Sequence, residues 1–259
     1  LNREPRRPWN PRYLKNLVFR ALPGRLISWA TEKCYGATVD CAELAVDYFG
    51  VQRSKIAISP LGVDTERFRP PDGGAASQRD RIRQRFGFLP HEIVCVYTGR
   101  FTPEKNPLLL AQAVAALRAA GEPYRGLFVG GGTQAEAIAS CEGCAVQPFV
   151  PVQQLAPYFW ASEIGVWPTQ ESMSMLDAAA CGLPIVVNDT MRATERIEGN
   201  GIAYRLNDRD DLVRALRDLR SEQRRRQLGD RGALRMARDF SWTAIARQRL
   251  ADYQAALSR

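Results

Sequence analysis

The sequence predicts an α/β protein built on a doubly wound, parallel, Rossmann-like sheet. Three observations support this prediction. From about residue 55 onward, short apolar runs alternate with segments of helical pattern, which is typical of strand–helix–strand units. Each run is rich in Val and Ile and is bounded by Gly or Pro. The runs are apolar nearly throughout, as expected of strands that helices cover on both faces.

Six strands and eight helices are predicted in this pattern. The strands are KIAIS (55–59), IVCVYTG (93–99), GLFVGG (126–131), AVQPFV (145–150), EIGVWP (163–168) and LPIVV (183–187). The helices are predicted at 78–87, 106–120, 133–140, 152–161, 173–181, 208–219, 221–238 and 241–257. Ser241 is the expected N-cap of the last helix.

The first 50 residues differ from the rest. They are predicted to form a helix, a short strand at GATVD (36–40) and a second helix. That is too little for a domain of its own, so this segment looks like the end of something larger.

Composition limits the classes of function. The chain has 259 residues, 45% hydrophobic and 25% charged, which are globular values. Its net charge of +8 is concentrated at the ends: residues 1–60 hold 10 basic against 5 acidic side chains, and residues 190–259 hold 16 against 10. A basic surface suits anionic partners. Because no RNA-binding, zinc-finger or basic-zipper pattern accompanies the charge, we do not expect nucleic acid as a partner.

Signals for membrane insertion, secretion and metal binding are weak or missing in the sequence. No apolar run approaches the ~18 residues of a membrane span, and the basic start has no signal-peptide pattern, so we expect a cytoplasmic protein. The six scattered cysteines indicate reduced thiols. Cys141 and Cys144 form a CxxC without a second pair, and His91 is the single histidine. Neither a zinc site nor a Ser-His-Asp or Cys-His mechanism is expected.

GRFTPEKNP (99–107) follows a predicted strand and precedes a helix that begins at Pro107. Arg100 and Lys105 can both point to one site beyond the carboxyl end of the strand, where open α/β sheets bind ligands. Two converging cations suit a diphosphate. The alternative is a pair of surface cations, one of them paired with Glu104.

VGGGTQA (129–135) formally matches a dinucleotide-binding fingerprint through Gly130, Gly132 and Ala135. The match is weak, because no acidic residue follows about 20 positions later to hold a ribose. We interpret these glycines mainly as a tight strand-to-helix turn that lets a ligand approach the backbone.

ESMSMLDAAACG (171–182) also lies between a predicted strand and a helix. Free backbone N–H groups at a helix start can bind an anion without any side chain. Asp177, in the first turn, can accept hydrogen bonds from two hydroxyls of a ribose diol. The alternative is that Glu171 and Asp177 are first-turn acids favoured by the helix dipole, with the methionines as core residues.

Together these stretches resemble the nucleotide-sugar-binding half of retaining glycosyltransferases with two facing Rossmann-like domains, the GT-B fold of family 4 or group 1. The resemblance covers roughly residues 35–259, and its pieces occur in family order. They are SPLGVDTERFRP (59–70), GRFTPEKNP (99–107), LFVGGG (127–132), FVPVQQLAPYFWASEIGVWPT (149–169), LDAAACGLPIVV (176–187) and FSWTAIARQRLADYQAAL (240–257).

The resemblance assigns roles to the charged residues. Arg100 and Lys105 would neutralise the departing nucleoside diphosphate, which is electrostatic stabilisation of the leaving group. Gly99 precedes them in the same phosphate clamp. Asp177 matches the acid that holds the ribose, and Glu171 would stand for the acid near the donor sugar.

It also implies contacts made by the backbone. Val150 falls where the family contacts the base, and the amides of Ser172, Met173, Ser174, Met175 and Leu176 would meet the phosphates. No cofactor and no metal is expected, because the cations and the helix terminus take that role.

The sequence departs from the family pattern in two ways. Five residues separate Glu171 from Asp177, where the family has seven between two Glu residues, which puts the role of Glu171 in doubt. The acceptor-binding N-terminal domain is missing apart from residues 1–54, which resemble its remnant and the linker. Residues 55–238 would then form the donor-binding domain, and 239–259 a helix crossing back.

The leading hypothesis is a glycosyltransferase that takes a nucleoside-diphosphate sugar as donor, working as a fragment or with an N-terminal partner. The acceptor is open: a saccharide, a lipid-linked molecule or a small molecule. The alternatives are a noncatalytic nucleotide-sugar-binding subunit and a sugar-nucleotide epimerase of the same fold. A further hypothesis is that the basic N-terminal segment docks at the inner membrane face.

Overall fold

The computed structural model describes residues 11–169, 172–191, 194 and 197–258. They form two compact units. The first consists of residues up to Leu61 together with those from Ile245 onward, and the second is Gly62–Ala244.

The first unit has helices on a two-stranded sheet. Its elements are α1 (Pro11–Asn16), α2 (Leu22–Ala30), β1 (Cys34–Gly36), α3 (Val39–Asp47) and β2 (Ile56–Ile58), with a π-helical turn between α1 and α2. The strands β1 and β2 pair in parallel. The short strand predicted at GATVD (36–40) is found earlier, as β1. It ends before Thr38, because the Thr38 side chain accepts a hydrogen bond from the amide of Cys41 and so acts as the N-cap of α3.

The strand predicted at KIAIS is present as β2, but its place in the doubly wound sheet was wrong. It pairs with β1 in the first unit instead. Residues of the last helix complete this unit: Asp252 accepts hydrogen bonds from Tyr35 and Lys33, and the Arg249 guanidinium lies 3.3 Å from the centre of the Tyr35 ring.

The second unit confirms the doubly wound parallel sheet. Six parallel strands lie in the order β5-β4-β3-β6-β7-β8. Their bounds are β3 (Ile93–Arg100), β4 (Tyr124–Gly131), β5 (Cys144–Gln147), β6 (Ile164–Trp167), β7 (Ile185–Asn188) and β8 (Gly201–Tyr204). The chain moves outward from β3 to β5, returns to the other side of β3 as β6, and then moves outward again to β8.

Seven described helices of the second unit lie in two layers: α4 (Gly73–Arg85), α5 (Pro107–Ala119), α6 (Ala135–Ala139), α7 (Ala156–Trp160), α8 (Ser174–Ala180), α9 (Arg209–Asp218) and α10 (Glu222–Arg235). The last helix, α11 (Trp242–Leu257), begins in the second unit, and its residues from Ile245 onward belong to the first. The helices α5, α6 and α9 pack together, as do α4, α7, α8 and α10. Right-handed crossovers that run in opposite directions place the two groups on opposite faces of the sheet.

Capping residues and prolines explain where the boundaries differ from prediction. Helix α4 begins earlier than residue 78, because Asp72 accepts from the amide of Ala75. The strand predicted at 145–150 ends at Gln147, since Pro148 cannot donate to a ladder. The helix predicted at 152–161 is a 3₁₀ turn followed by α7. Ser241 is confirmed as the N-cap of α11, accepting from the amide of Ala244 at 3.1 Å.

Two further differences lie toward the end of the chain. The edge strand β8 was not predicted. The helix predicted at 221–238 ends as α10 at Arg235 and continues as a π-helical turn, Met236–Phe240. Among the described residues, every helix is too short or too polar to cross a membrane.

A buried arginine fixes α4 to the amino ends of β3 and β6. Arg83 is 4% exposed, and it donates to the carbonyl of Ala161 and to the carboxylate of Glu163, each at 3.0 Å. It also donates to the Glu92 carbonyl at 2.9 Å. Glu163 in turn accepts from the amide of Val94 on β3 at 2.8 Å. This network aligns the two central strands.

Replacing Arg83 with methionine should therefore destabilise the second unit strongly. We expect a loss of about 3–5 kcal/mol in the free energy of unfolding. The reason is that the Glu163 carboxylate and the buried carbonyls would lose the charged group that donates hydrogen bonds to them. Urea denaturation measures this loss. Arg81→Met, an exposed arginine on the same helix, is the matched control and should change stability by less than about 0.5 kcal/mol. Equal effects of the two substitutions would contradict the role given to Arg83.

Candidate functional site

Strands β3 and β6 separate toward their carboxyl ends. They pair over Cys95↔Ile164 and Val96↔Gly165, whereas β3 remains paired with β4 as far as Arg100↔Gly131. The chain leaves β3 toward α5 in one helical layer and leaves β6 toward α8 in the other. Neighbouring strands whose connections run to opposite faces form the switch point of an open α/β sheet, which is where ligands bind.

Glycines bring the ends of β3 and β4 close together. Gly99, Gly130 and Gly132 have φ values of 146°, 147° and 150°, which disfavour any side chain. A Cβ on Gly130 would lie 1.9 Å from the carbonyl oxygen of Gly99, and one on Gly132 would lie 2.5 Å from that of Phe101. The interpretation of VGGGTQA as a tight strand-to-helix turn is confirmed. At these three glycines, the carboxyl edge of the sheet therefore presents backbone atoms and no side chains.

Arg100 and Lys105 lie on either side of the turn that follows β3. Arg100 ends the strand and is exposed, and Lys105 is half-buried two residues before α5. The amides of Lys105 and Asn106 both donate to the carbonyl of Thr102, at 3.0 and 2.8 Å, which folds the turn back. Burial lowers the pKa of Lys105, and the nearby positive charge of Arg100 lowers it further. The two cations are therefore close enough to repel each other.

Neither cation forms an ion pair with a carboxylate among the residues that the structure describes. Glu104, the alternative partner, is exposed and forms no ion pair with either cation. Its carboxyl pKa is lowered first by hydrogen bonding to its own backbone, then by hydrogen bonding to Thr102, and only last by the charge of Arg100. A pair of cations left without a carboxylate partner favours an external anion over a surface ion pair.

The segment after β6 has the expected strand-to-helix geometry. Helix α8 begins at Ser174, and Met175 and Leu176 are each 1% exposed, so these two side chains belong to the core. The amides of Met175 and Leu176 donate to the carbonyls of Ser172 and Met173, at 3.2 and 2.9 Å. A backbone phosphate site here would exchange some of these bonds for bonds to the phosphate, and it stays a prediction.

Other bonds in this segment are longer or involve side chains. The Ser172 amide donates to the sulfur of Met175 at 3.3 Å, and the amide of Ser174 to the Ser172 hydroxyl at 3.4 Å. The Met173 amide has no hydrogen-bond partner among the described residues. Glu171, the acid predicted to lie near the donor sugar, is outside the described residues.

Asp177 meets a second carboxylate that the sequence analysis did not assign to the site. Burial first, and then the negative charge of Asp64, raise the pKa of Asp177 to about 7, with Arg67 acting in the opposite direction. Asp64 is fixed in its own turn: it accepts from the amides of Glu66 and Arg67 at 3.2 Å each and pairs with the Arg67 side chain at 3.2 Å. The turn lies in SPLGVDTERFRP, which the sequence analysis used only as a resemblance.

Thr98 and Gln147 are further polar residues at this edge that the sequence analysis missed. They are 4% and 8% exposed, and Thr98 Oγ1 and Gln147 Oε1 are buried without a hydrogen-bond partner in the described part of the chain. Such atoms are costly unless a ligand or water satisfies them. The signal in the sequence was a polar residue near the end of an otherwise apolar strand.

Val150 lies in the loop that follows β5. It is half-buried and packs against the core of the second unit. The carboxyl edge thus brings together Gly99, Arg100, Lys105, Val150 and the start of α8, all in one unit. Among the described residues, no three His, Cys, Asp or Glu side chains are grouped as a metal site.

Comparison with known sequences points to one family. The family model described as glycosyl transferases group 1 matches residues 92–222, half of the chain. A D-inositol 3-phosphate glycosyltransferase of Geodermatophilus obscurus is 32% identical over 240 residues, which is 85% of this chain and 51% of that protein. The chain spans about half the length of the curated relatives it matches.

Solved structures show the same fold at low identity. A glycosyltransferase from Rickettsia africae ESF-5 has a TM-score of 0.74 and 13% identity, covering 94% of this chain and 66% of the other. Anabaena HepE in complex with UDP and glucose has a TM-score of 0.72 and 15% identity, covering 90% and 66%. At these identities the likeness shows the fold alone.

The raised pKa of Asp177 predicts a stability that depends on pH. The folded protein keeps this proton up to pH about 7, whereas the unfolded chain releases it near 3.8. The folded state therefore binds more protons between these values, and stability falls as pH rises from about 4 to 7. Asp177→Asn removes this penalty.

We expect Asp177→Asn to be more stable than the wild type by about 1–2 kcal/mol at pH 8 and unchanged near pH 4. The shift at 1.36 kcal/mol per pKa unit sets the ceiling, and partial exposure reduces it. Urea denaturation at the two pH values measures the difference. Asp80→Asn, an exposed acid on α4, is the control. A gain of equal size at both pH values would contradict the explanation.

Proposed function

The chain belongs to the group 1 glycosyl transferases, and from that membership we propose that it transfers a sugar from a nucleoside-diphosphate sugar to an acceptor, with retention at the anomeric carbon. The observation that carries the proposal is the pair Arg100 and Lys105. Arg100 ends the strand that borders the switch-point crevice and Lys105 lies in the turn after it, and neither forms an ion pair with a carboxylate among the described residues. A diphosphate at this edge would supply the missing negative charge.

The chemistry of the step follows from where charge develops. When the bond between the sugar and the diphosphate breaks, negative charge grows on the departing phosphate oxygens. Cations already positioned beside the phosphates stabilise that charge more in the transition state than in the ground state. Arg100 offers a planar fork and Lys105 a point charge, so together they can take the role that a divalent cation has in other transferases. We propose a metal-independent reaction on this basis.

Asp177 is proposed to hold the ribose. A carboxyl group can accept hydrogen bonds from two neighbouring hydroxyls, and the ionised form accepts them more strongly. Its position in the first turn of α8, after β6, puts it on the side of the crevice opposite to Arg100. Phosphate at β3 and ribose at α8 would place a nucleotide across the switch point.

The proposal also covers the acceptor and the part of the protein that would bind it. The relative from Geodermatophilus obscurus is named for D-inositol 3-phosphate, which makes an inositol phosphate the first acceptor to assay. A further domain or a partner chain would complete the acceptor site. We propose a cytoplasmic location, with a peripheral contact of the basic segment at the inner membrane face.

The Arg100→Ala/Lys105→Ala double variant tests the donor site. Charged hydrogen bonds of this kind are worth roughly 1.5–3 kcal/mol each, so the affinity for the preferred nucleoside diphosphate should fall about 100-fold or more. Titration calorimetry with UDP, GDP and ADP measures this in the wild type and the variant.

Two exposed arginines of the same unit serve as the charge-matched control. The side chains of Arg226 and Arg238 are each 76% exposed, and Arg226→Ala/Arg238→Ala removes the same total charge. This control should bind as the wild type does. Absence of binding to any of the three nucleotides by the wild type, or equal binding by the double variant, would refute the proposed donor site.

Turnover then separates a transferase from a noncatalytic binding subunit. The chain is incubated with the preferred nucleotide sugar and an inositol phosphate, and release of the nucleoside diphosphate is followed. Binding without any release, also when the chain is joined to an acceptor-binding domain, would favour the noncatalytic alternative.

A further inference from the structure

The second unit has a surface groove to which the proposed donor site assigns no role. Its volume is about 450 Å³, which is within the usual range for small-molecule sites. The groove is bounded by α4, by α7 and by the turns that precede these two helices. Its lining residues include Arg67, Arg69, Gln78, Gln153, Gln154 and Trp160.

Three glutamines supply much of the hydrogen-bonding capacity of the groove. Gln78, Gln153 and Gln154 are exposed, and their side-chain amides have no hydrogen-bond partner in the part of the chain that the structure describes. The backbone that carries two of them is ordered by a 3₁₀ turn, in which the amide of Gln154 donates to the carbonyl of Pro151 at 2.9 Å. Each side-chain amide can donate and accept, so each can bond two neighbouring hydroxyls of a ligand.

The indole of Trp160 supplies the apolar part of the groove. The side chain is half-buried, and its Nε1 donates to the carbonyl of Arg69 at 2.9 Å. This bond fixes the ring and occupies its single polar group, so the accessible part of the ring is apolar. An aromatic surface next to free amides suits a sugar ring, because a pyranose has an apolar face of C–H groups and hydroxyls at its edge.

The charges around the groove favour a neutral ligand. Arg67 pairs with Asp64 at 3.2 Å, and Arg69 pairs with Asp72 at 2.8 Å, so both cations of the lining already have carboxylate partners. The further charged group, Glu66, is negative and exposed. A phosphate would gain little here, in contrast to the cation pair of the donor site. Hydroxyl groups can bond the amides without disturbing these ion pairs.

We propose that Trp160 and the three glutamines bind an uncharged oligosaccharide in this groove, at a site separate from the donor crevice. The sugar ring stacks on the indole, and its hydroxyls bond the side-chain amides. Trp160 also lines a neighbouring cavity of about 490 Å³, which gives a longer saccharide room to continue. The proposal concerns binding alone and does not depend on the transfer reaction.

The location of the groove gives such binding a use. Arg67 is close enough to Asp177 to act on its charge, so one end of the groove is near the donor crevice. A saccharide held there would be retained close to the proposed place of transfer, which raises its local concentration.

Titration calorimetry with uncharged oligosaccharides tests the proposal. The probes are maltose, maltotetraose, cellotetraose and mannotetraose. We expect the wild type to bind at least one tetrasaccharide, and Gln153→Ala/Gln154→Ala to bind it about 10-fold more weakly, because hydrogen bonds to hydroxyls are lost. Gln223→Ala/Gln227→Ala removes two exposed amides of α10 and is the matched control, which should bind as the wild type does.

Trp160→Phe supplies a second readout. Binding of the tetrasaccharide should change the indole fluorescence of the wild type, and this change should be lost in Trp160→Phe at saturating ligand. A groove that affects binding only through the fold would leave the fluorescence change in place.

The remaining measurements separate this site from the donor site. Arg100→Ala/Lys105→Ala should bind the oligosaccharide as the wild type does, and UDP, GDP and ADP should not displace it. Displacement by a nucleotide would place the sugar in the donor crevice and refute a separate groove. Failure of the wild type to bind any of the four probes, or equal binding by Gln153→Ala/Gln154→Ala, would also refute it, and neither result bears on nucleotide binding.

Discussion

The separation of β3 from β6 is the constraint on which the candidate site depends. Backbone pairing stops at Val96 and Gly165, and the buried Trp167 lies two residues beyond this point on β6. Its indole N–H donates to the carbonyl of Thr98 at 3.2 Å, which satisfies a strand carbonyl that has lost its neighbour. Gly165 makes room, since a Cβ there would lie 2.8 Å from the ring. The crevice is therefore a packed feature of the fold.

Burial around this crevice disfavours both a positive and a negative side-chain charge. It lowers the pKa of Lys105 and raises that of Asp177, so both charged forms are disfavoured when no ligand is present. The proposed nucleoside diphosphate would relieve both effects, because its phosphates would favour the charged lysine and its ribose hydroxyls would donate hydrogen bonds to the carboxylate. A site that is electrostatically incomplete by itself is typical of functional positions, and the glycine turn of β4 keeps it open.

The strength of the sequence signals decided which parts could be predicted. Strands β3 to β7 are apolar on both faces and bounded by Gly or Pro, so their pattern was clear, whereas β8 (GIAY) is a short edge strand within a polar stretch. Arg100 and Lys105 could be proposed as a phosphate clamp from the sequence because they lie five positions apart, at the end of β3 and in the turn after it. The approach of Asp64 to Asp177 depends on how a distant loop folds back, which periodicity does not report. Thr98 was not assigned to the site because only the structure shows that its hydroxyl is buried without a hydrogen-bond partner among the described residues.

Burial first, and then the fixed carboxylate of Asp64, disfavour the charged form of Asp177. Two amides and the Arg67 side chain hold the Asp64 carboxylate in place, so it cannot move away, and Arg67 is shared between the two acids. A ribose diol that donates to Asp177 stabilises the ionised form and must therefore promote release of its proton. By linkage, the affinity for a ribose-bearing ligand increases with pH up to the pKa of the free site, about 7, and levels off above it. The same carboxyl group thus reduces the stability of the fold while it strengthens the proposed binding.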